Sequence, residues 1–336
     1  MECLTKKKKA NVCYLIETKM KKVKRLHRIV FMGTPDFAVA SLRAMVEEGY
    51  NIVAVITAPD RPAGRGQKLK ESEVKVYAQS QNLHILQPSN LKNEDFLQEL
   101  RHLQADLQVI VAFRMLPEVV WNMPPLGSIN VHGSLLPNYR GAAPIHWAVI
   151  NGEQETGVSA FFLKHAIDTG NIIGQVKTPI GPDETTGEVY YRLMHLGAEL
   201  LVNTLEQIDQ ETYEEVPQNL GQNTKHAPKI FKENCRIDWH KPAEQIHNLV
   251  RGLNPFPTAI TELNGKNVKI HTTKLCASNE NLKPGEIRVG DKKLMVGTGS
   301  RPIQIIGLQM EGKKRSSALD FVNAYINDED SIYAFH

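Results

Sequence analysis

The stretch RIVFMGTPD at residues 28–36 decides the fold class of this chain. Its first five residues are mostly apolar and predict a buried strand. The turn after them predicts a helix with Thr34 as N-cap and Pro35 at the first helical position. Residues 51–57, NIVAVIT, predict a second strand after that helix. A strand–helix–strand opening favours an α/β fold with a mostly parallel, doubly wound sheet. The turn lacks the GxGxxG pattern, so support for dinucleotide binding is weak.

Further strands of the same sheet are predicted downstream. Residues 106–113 are mostly β-branched or apolar and predict a buried central strand, and residues 128–132, 159–163 and 172–180 predict the remaining strands. Residues 185–208 predict a long amphipathic helix, because valines and leucines recur on one side at helical spacing. These elements predict a first domain over residues 27–210.

The last third of the chain has a different pattern. Residues 211–228 are polar and uneven, which is typical of a linker. After residues 254–257 (NPFP), short alternating apolar stretches separated by turns predict about five strands and a small β-barrel. These stretches are residues 260–263, 268–273, 285–289, 293–296 and 303–310. The second domain is therefore expected over residues 229–336.

Composition excludes several classes of protein. No apolar run approaches the roughly 20 residues needed to cross a bilayer, so no membrane span is expected. The four cysteines lie far apart and form no CxxC pair. This spacing argues against a zinc site or a disulfide framework and fits a reducing cytoplasm. The net charge is only +3, but lysines and arginines cluster locally, and such clusters suit an anionic partner.

The N-terminal 26 residues are expected to form a disordered extension outside the fold. They are rich in lysine and contain one short apolar piece, residues 12–16. A secretory signal needs a longer apolar core and a small-residue cleavage site, and neither is present. Met20 could be the true start of the protein.

The run NVHGSLLP at residues 130–137, with DTG at residues 168–170, combines an amide, an imidazole and a carboxylate. Asn130 and His132 are two apart on a predicted strand, so both side chains leave the same face. An amide donor beside an imidazole suits the stabilisation of an oxyanion. A carboxylate from Asp168 could orient the imidazole and stabilise its protonated form. No serine or cysteine nucleophile is needed if the substrate brings its own amine. The motif therefore predicts direct acyl transfer to nitrogen.

These motifs together resemble those of the methionyl-tRNA formyltransferase family from about residue 28 to the C-terminus. The matching stretches are GTPDF (33–37), PDRPAGRG (59–66), NVHGSLLP (130–137), RGAAP (140–144), IDTG (167–170), IDW (237–239) and NPFP (254–257). The resemblance implies a Rossmann-like formyltransferase domain with a mostly parallel sheet, followed by an OB-like β-barrel domain that binds tRNA. It also implies formyl transfer from 10-formyltetrahydrofolate to the α-amino group of initiator methionyl-tRNA, in the cytoplasm and without a metal. No obligate protein partner is evident, and a monomer is expected.

The resemblance also assigns site residues. Asn130, His132 and Asp168 match the catalytic trio of the family. Two stretches match the folate pocket: Ser134, Leu135, Leu136 and Pro137, and Phe113, Met115, Leu116 and Pro117. Arg114 stands where the family often has glycine. Glu73, Ala166 and Ile167 also depart from the common residues, and none of these changes removes a catalytic group.

Two basic clusters predict contact with tRNA. The first is the loop of residues 60–70, which carries Arg61, Arg65, Lys68 and Lys70 among glycines and prolines. Glycines let a loop approach a nucleic-acid backbone closely, and arginines bind phosphate in a bidentate manner. Arg65 is the strongest candidate, and the alternative is a solvated, mobile loop. The second cluster is Lys313, Lys314 and Arg315 on the predicted barrel.

Two other functions stay open at this point. A formyltransferase for a small amine, such as a purine-pathway or sugar-nucleotide substrate, would share the catalytic half. The basic loop and the C-terminal domain disfavour it. A catalytically silent RNA-binding protein would keep the basic surface, and the complete set of asparagine, histidine and aspartate disfavours that function.

Overall fold

The computed structural model describes residues 27–63, 68–219, 221, 224–277, 281–290, 293–325 and 333–336. The expected N-terminal extension, residues 1–26, lies outside these ranges, and so does Arg65. No helix in the described ranges is long and apolar enough to cross a membrane.

The N-terminal part is built on a sheet that has seven strands among the described residues. Its strands and neighbouring short strands are β1 (Arg28–Gly33), β2 (Asn51–Ile56), β3 (Arg61–Ala63), β4 (Lys68–Lys70), β5 (Ile85–Leu86), β6 (Leu107–Val111), β7 (Ser128–His132), β8 (Arg140–Gly141), β9 (Glu155–Phe162), β10 (Ile172–Pro179) and β11 (His226–Ala227). Its helices are α1 (Asp36–Glu47), α2 (Glu73–Ser80), α3 (Glu94–His102), α4 (Glu118–Trp121), α5 (Pro144–Ile150) and α6 (Thr186–Asp209).

The strand order in this sheet is β10-β9-β7-β6-β1-β2-β5. The five strands from β7 to β5 pair in parallel, whereas β9 and β10 are antiparallel additions at one edge. The mostly parallel sheet predicted from the strand–helix–strand opening is confirmed.

Successive side chains of β1 point to opposite faces of the sheet and pack in two different apolar cores. Ile29 and Phe31 face one apolar core, which also contains Phe37 and Leu42 of α1 and residues of α6. Val30 and Met32 belong to a second core, with Phe96, Leu97 and Leu100 of α3. Each large apolar side chain that is fully buried in this way contributes about 1.5–3 kcal/mol. A strand with two buried faces reads as a continuous apolar run, as residues 29–32 do.

The predicted start of the first helix is wrong by one residue. Thr34 is not the N-cap. Pro35 occupies that position with extended backbone, and α1 begins at Asp36. The carbonyl oxygen of Pro35 accepts the main-chain hydrogen bond from Ala38 (3.0 Å), whereas that of Thr34 accepts one from Val74 of α2 (3.4 Å). The hydrogen bonds of the helix therefore begin at Pro35.

The C-terminal part is a second sheet with its own apolar core. Its elements are a 3₁₀ turn (Lys232–Cys235), α7 (Ala243–Gly252), β12 (Ala259–Leu263), β13 (Lys266–Leu275), β14 (Glu286–Gly290), β15 (Lys293–Val296), β16 (Ile303–Met310), β17 (Ser316–Ser317), α8 (Ala318–Tyr325) and β18 (Tyr333–Ala334). The five predicted strands correspond to β12 to β16.

Main-chain hydrogen bonds close this second sheet into a ring. Its order is β12-β13-β16-β15-β14-β18, with β17 attached to β16. His336 follows β18 and exchanges two hydrogen bonds with Glu262 of β12 (2.9 and 3.0 Å), so the two edges meet. Inside, Trp239 stacks on Phe335 with ring centroids 5.6 Å apart. The predicted barrel is confirmed as this closed sheet.

Polar contacts join the two parts at the start of α6. The buried Arg251 of α7 donates to the carbonyl oxygens of Gly181 and Glu184 (3.1 and 2.9 Å). Thr186 donates from its hydroxyl to the carbonyl oxygen of Gly252 (2.7 Å). The boundaries 27–210, 211–228 and 229–336 themselves stay a prediction.

Candidate active site

Strand β7 carries Asn130 and His132 toward its carboxyl end. Asn130 pairs with Ile110 of β6 and with Phe161 of β9, and His132 pairs with Ser159. The two side chains are two residues apart, so they leave one face of the sheet. The Asn130 side chain is partly exposed and makes no hydrogen bond to any residue that the structure describes. Its amide is therefore available to a ligand.

His132 is held in one orientation by a main-chain carbonyl. The ring is buried, with 7% of the residue exposed, and Nε2 lies 2.9 Å from the carbonyl oxygen of Tyr139. Because a carbonyl oxygen only accepts hydrogen bonds, Nε2 carries a proton. In the neutral ring, Nδ1 is then the basic nitrogen.

Asp168 lies on the Nδ1 side of this ring. Its Oδ2 is 3.9 Å from Nδ1, which is within ion-pair distance but too long for a hydrogen bond. From the sequence, Asp168 is expected to orient His132, whereas the orienting hydrogen bond comes from Tyr139. Asp168 is therefore placed to act on the imidazole through its charge.

The Asp168 turn is held from two sides. Its φ of +52° is in the left-handed region, which aspartate tolerates better than most residues. Its Oδ2 accepts a hydrogen bond from the main-chain N–H of Gly141 (3.0 Å). Its carbonyl oxygen accepts one from the side-chain amide of Gln218 (2.9 Å). The carboxylate position therefore depends on contacts far away in sequence.

Tyr139 is itself fixed by a polar cluster. Its hydroxyl donates to the Glu153 carboxylate, and Asn151 donates to the same hydroxyl oxygen (3.1 Å). Burial, and next the hydrogen bond to Glu153, raise the pKa of the Tyr139 hydroxyl, so the hydroxyl stays protonated as the donor. Lys225 pairs with Glu153 on the other side. The carbonyl that orients His132 thus belongs to an anchored residue.

The two predicted folate stretches follow neighbouring parallel strands. Residues 113–117 come after β6 and residues 134–137 come after β7, and these strands pair directly. Loops at the carboxyl ends of adjacent parallel strands lie at the same edge of a sheet, where α/β folds bind ligands. Met115 is 73% exposed, and Phe113 and Leu135 are partly exposed, so apolar surface is available there.

The other predicted folate residues differ in how much of each is exposed to a ligand. Ser134 is fully buried, and its hydroxyl donates to the carbonyl oxygen of Asn138 (2.7 Å). Leu136 is 4% exposed. Leu116, Pro117 and Pro137 are partly exposed. Ser134 and Leu136 therefore shape the loop from inside, and the others line its surface.

Arg114 ties two loops together. Its guanidinium donates to the carbonyl oxygens of Pro88 and Ser89, the latter at 3.0 Å, and lies over the Phe113 ring at 5.6 Å. Burial, and next the positive charge of Arg61, lower the pKa of the Arg114 guanidinium. The departure from glycine thus gives this chain a side-chain brace beside the predicted folate loop.

The first basic cluster differs from the predicted loop, because its described residues form a hairpin. Strands β3 and β4 are antiparallel, with Arg61 opposite Lys70. Both residues are exposed, and Lys70 is paired with Glu73 (3.0 Å). Lys68 lies on β4, and Arg65 lies outside the described residues. At the base, the hydrogen bond from Lys75 lowers the pKa of the Asp60 carboxyl.

The second basic cluster lies after β16. Lys313, Lys314 and Arg315 are all exposed, and Arg315 donates to the hydroxyl of Thr272 (3.1 Å). The contact holds one guanidinium against β13 and leaves the two lysines in solvent. Within the described residues, no group of three or more His, Cys, Asp or Glu side chains is placed to hold a metal ion.

Sequence reasoning missed the partners that hold the site. The carbonyl of Tyr139 carries no residue-type signal, since every residue has one. Gln218 lies in the stretch expected to be a linker, where polar residues are common and one glutamine does not stand out as functional. Gly141 lies in the RGAAP motif, and that motif was the one available signal.

Comparison with known proteins adds two family matches. A formyl transferase profile matches residues 27–205, and the profile of a formyl transferase C-terminal domain matches residues 229–325. The chain is 50% identical over 297 residues to the methionyl-tRNA formyltransferase of Bacteroides fragilis, covering 86% of this chain and 92% of the relative. It is 47% identical over 311 residues to that of Flavobacterium johnsoniae, covering 91% of this chain and 99% of the relative.

Solved structures share the fold at lower identity. The N-formyltransferase from Helicobacter canadensis, in complex with folinic acid and dTDP-3-aminofucose, superposes with a TM-score of 0.64 at 23% identity, covering 85% of this chain and 100% of that one. HypX from Aquifex aeolicus superposes with a TM-score of 0.61 at 16% identity, covering 89% of this chain and 48% of that one. Identities this low show the fold alone.

Proposed function

The chain belongs to the methionyl-tRNA formyltransferase family, and we propose from this that Asn130, His132 and Asp168 form its catalytic site. The enzyme transfers a formyl group from a folate donor to the amino group of methionyl-tRNA. We specify the donor as 10-formyltetrahydrofolate and the acceptor as the initiator. The observation that carries the site assignment is the arrangement of His132, with Nε2 held by Tyr139 and Nδ1 facing Asp168.

The chemistry that this site supports is a direct transfer. The amine nitrogen attacks the formyl carbon, and the carbonyl oxygen gains negative charge. Asn130 has a free amide to donate a hydrogen bond to that oxygen. The new C–N bond forms, and the bond from the formyl carbon to N10 of the folate breaks.

One proton must move during this transfer. The attacking amine loses a proton and N10 gains one, so the protons balance. Nδ1 of His132 is the nitrogen able to carry that proton, because Nε2 is already protonated. The Asp168 carboxylate at 3.9 Å stabilises the imidazolium while the proton is held.

The folate would lie at the carboxyl edge of β6 and β7. Phe113, Met115 and Leu135 offer apolar surface to a flat ring there, and Leu116, Pro117 and Pro137 lie in the same two loops. Ser134 and Leu136 would support these loops from below. The donor's formyl group would then reach the side chains that leave β7.

The tRNA would contact the two basic clusters. The first cluster consists of Arg61, Lys68 and Lys70 of the β3–β4 hairpin, with Arg65 between them in the sequence. The second cluster, Lys313, Lys314 and Arg315, follows β16 of the second sheet. Such residues give largely sequence-independent, salt-dependent affinity for phosphates. We also propose that the enzyme acts as a monomer in the cytoplasm, without an obligate protein partner or a metal.

Formylation assays with the purified full chain separate this function from its two rivals. We expect transfer from 10-formyltetrahydrofolate to initiator methionyl-tRNA, and none to amino sugar nucleotides or other small amines. Transfer to the small amines alone would support the first rival, and tRNA binding without transfer would support the second. The same assay in the presence of EDTA tests whether a metal is needed, and we expect full activity there.

Replacing Arg65 with alanine should weaken tRNA binding more than folate binding. A lost phosphate contact should also make the plot of log affinity against log salt shallower by about 1. The measurement is tRNA affinity across a salt series, with folate affinity alongside. Arg101→Ala removes an exposed arginine from α3 as the matched control. An unchanged salt slope in Arg65→Ala would remove Arg65 from the tRNA surface.

A further inference from the structure

The segment between the two parts of the chain packs against both catalytic loops. We call residues 216–227 the connecting segment, of which 216–219, 221 and 224–227 are described. At its start, Val216 exchanges two main-chain hydrogen bonds with Ile172 (2.8 and 2.9 Å). At its end, β11 pairs in parallel with β8. The segment is therefore tied down at both ends, beside the Asp168 turn and the loop after His132.

Gln218 of the connecting segment holds the Asp168 turn. Its Nε2 donates to the carbonyl oxygens of Asp168 (2.9 Å) and Gly170 (2.7 Å). Its Oε1 accepts a hydrogen bond from Arg140 (2.7 Å). One primary amide has two N–H donors and an acceptor, so this side chain satisfies three partners at once.

The turn needs such a partner because its backbone is uncommon. Asp168 has a φ of +52°, and a left-handed residue costs free energy unless its surroundings hold it there. Its carboxylate reaches the N–H of Gly141, whose own φ is +117°. A Cβ on Gly141 would come within 2.6 Å of the carbonyl oxygen of Ala227, at the end of the connecting segment.

The other end of the segment holds the His132 side of the site. The main-chain N–H of Tyr139 donates to the carbonyl oxygen of Lys225 (2.6 Å), and the N–H of Lys225 donates to the side chain of Asn138 (3.1 Å). The carbonyl of this same residue, Tyr139, is the one that orients His132. The connecting segment therefore anchors both His132 and Asp168, whose Nδ1 and Oδ2 atoms are 3.9 Å apart.

We propose that Gln218 is a positioning residue for the transfer, which keeps the Asp168 carboxylate at its distance from Nδ1 of His132. This inference rests on the proposed function, in which His132 and Asp168 act together. Gln218 acts through its two amide N–H donors on the Asp168 turn and does not touch the reacting atoms. The connecting segment is then part of the active site as well as the link to the second sheet.

The test compares the steady-state kinetics of full-length variants. Gln218→Ala removes all three contacts. Gln218→Glu keeps an oxygen acceptor for Arg140, but it has no N–H for the two carbonyls and places a negative charge beside them, so it breaks the positioning contacts and keeps the contact to Arg140. We expect both to lower kcat by about 10-fold or more, since small misplacements of catalytic groups carry costs of this order or larger. KM for both substrates should stay within about twofold, because the loss belongs to the transition state. Gln210→Ala, an exposed glutamine after α6, is the matched control.

A double-mutant cycle with Asp168→Asn separates positioning from general stability. Asparagine tolerates the left-handed backbone and removes the charge. If Gln218 acts through the carboxylate, adding Gln218→Ala to Asp168→Asn should lower kcat by less than about twofold more. An equal fold-loss in both backgrounds would mean a structural role and would overturn the proposal.

The remaining outcomes are also decisive. Wild-type kcat in Gln218→Glu overturns the proposal, even if Gln218→Ala fails to fold by circular dichroism. Wild-type kcat in Asp168→Asn would instead show that the proposed catalytic role of Asp168 is wrong. The two failures are therefore distinguishable within one experiment.

Discussion

Replacing Asn130 with alanine is expected to lower kcat by about 10²-fold or more, the scale measured when a preorganised oxyanion donor is removed. The side chain is partly exposed at the middle of β7 and makes no hydrogen bond within the described residues. No hydrogen bond in that part of the chain therefore depends on its side-chain amide. Because the donated hydrogen bond strengthens only as charge develops on the formyl oxygen, KM for both substrates should change little.

The measurement is steady-state formylation of methionyl-tRNA, with binding of each substrate measured separately. Asn51→Ala, an exposed asparagine at the start of β2 in the same sheet, is the matched control and should keep wild-type kcat. His132→Ala should cause a loss of similar size. If Asn130→Ala kept full kcat, the oxyanion donor would have to be another group.

Replacing Gly170 with alanine is expected to lower the free energy of unfolding by about 3 kcal/mol, at the upper end of the usual cost of overpacking. Gly170 is buried, and a Cβ there would overlap the carbonyl oxygen of Phe162. That oxygen belongs to rigid backbone at the end of β9, so the Asp168 turn would have to move instead. Since Asp168 is two residues away, kcat should fall as well.

Urea denaturation and formylation kinetics of the same variant check both effects. Gly290→Ala, at the exposed end of β14 in the second sheet, is the matched control, because a Cβ at Gly290 meets no described atom within 4 Å. The control should keep both stability and kcat. If Gly170→Ala were as stable and active as Gly290→Ala, the close approach of this turn to β9 would be wrong.

Local patterns in the sequence determined much of this protein. The apolar run and turn at residues 28–36 predict the strand and helix that open a parallel sheet, and β1, α1 and β2 confirm them. The helical spacing over residues 185–208 corresponds to α6 within one residue at each end. The alternation of a strand places Asn130 and His132 on one face. These features depend on neighbours in sequence, so periodicity and residue type report them.

Tertiary structure alone decided how the site is held. His132 takes its orientation from the carbonyl of Tyr139, and a backbone carbonyl is the same in every residue. Asp168 lies 36 positions after His132, and the turn after β9 and the amide of Gln218 set its distance. The hairpin of β3 and β4, expected as a loop, depends on cross-strand pairing. Such contacts join segments that only the order of strands in the folded sheets brings together, and a local sequence pattern carries no record of that order.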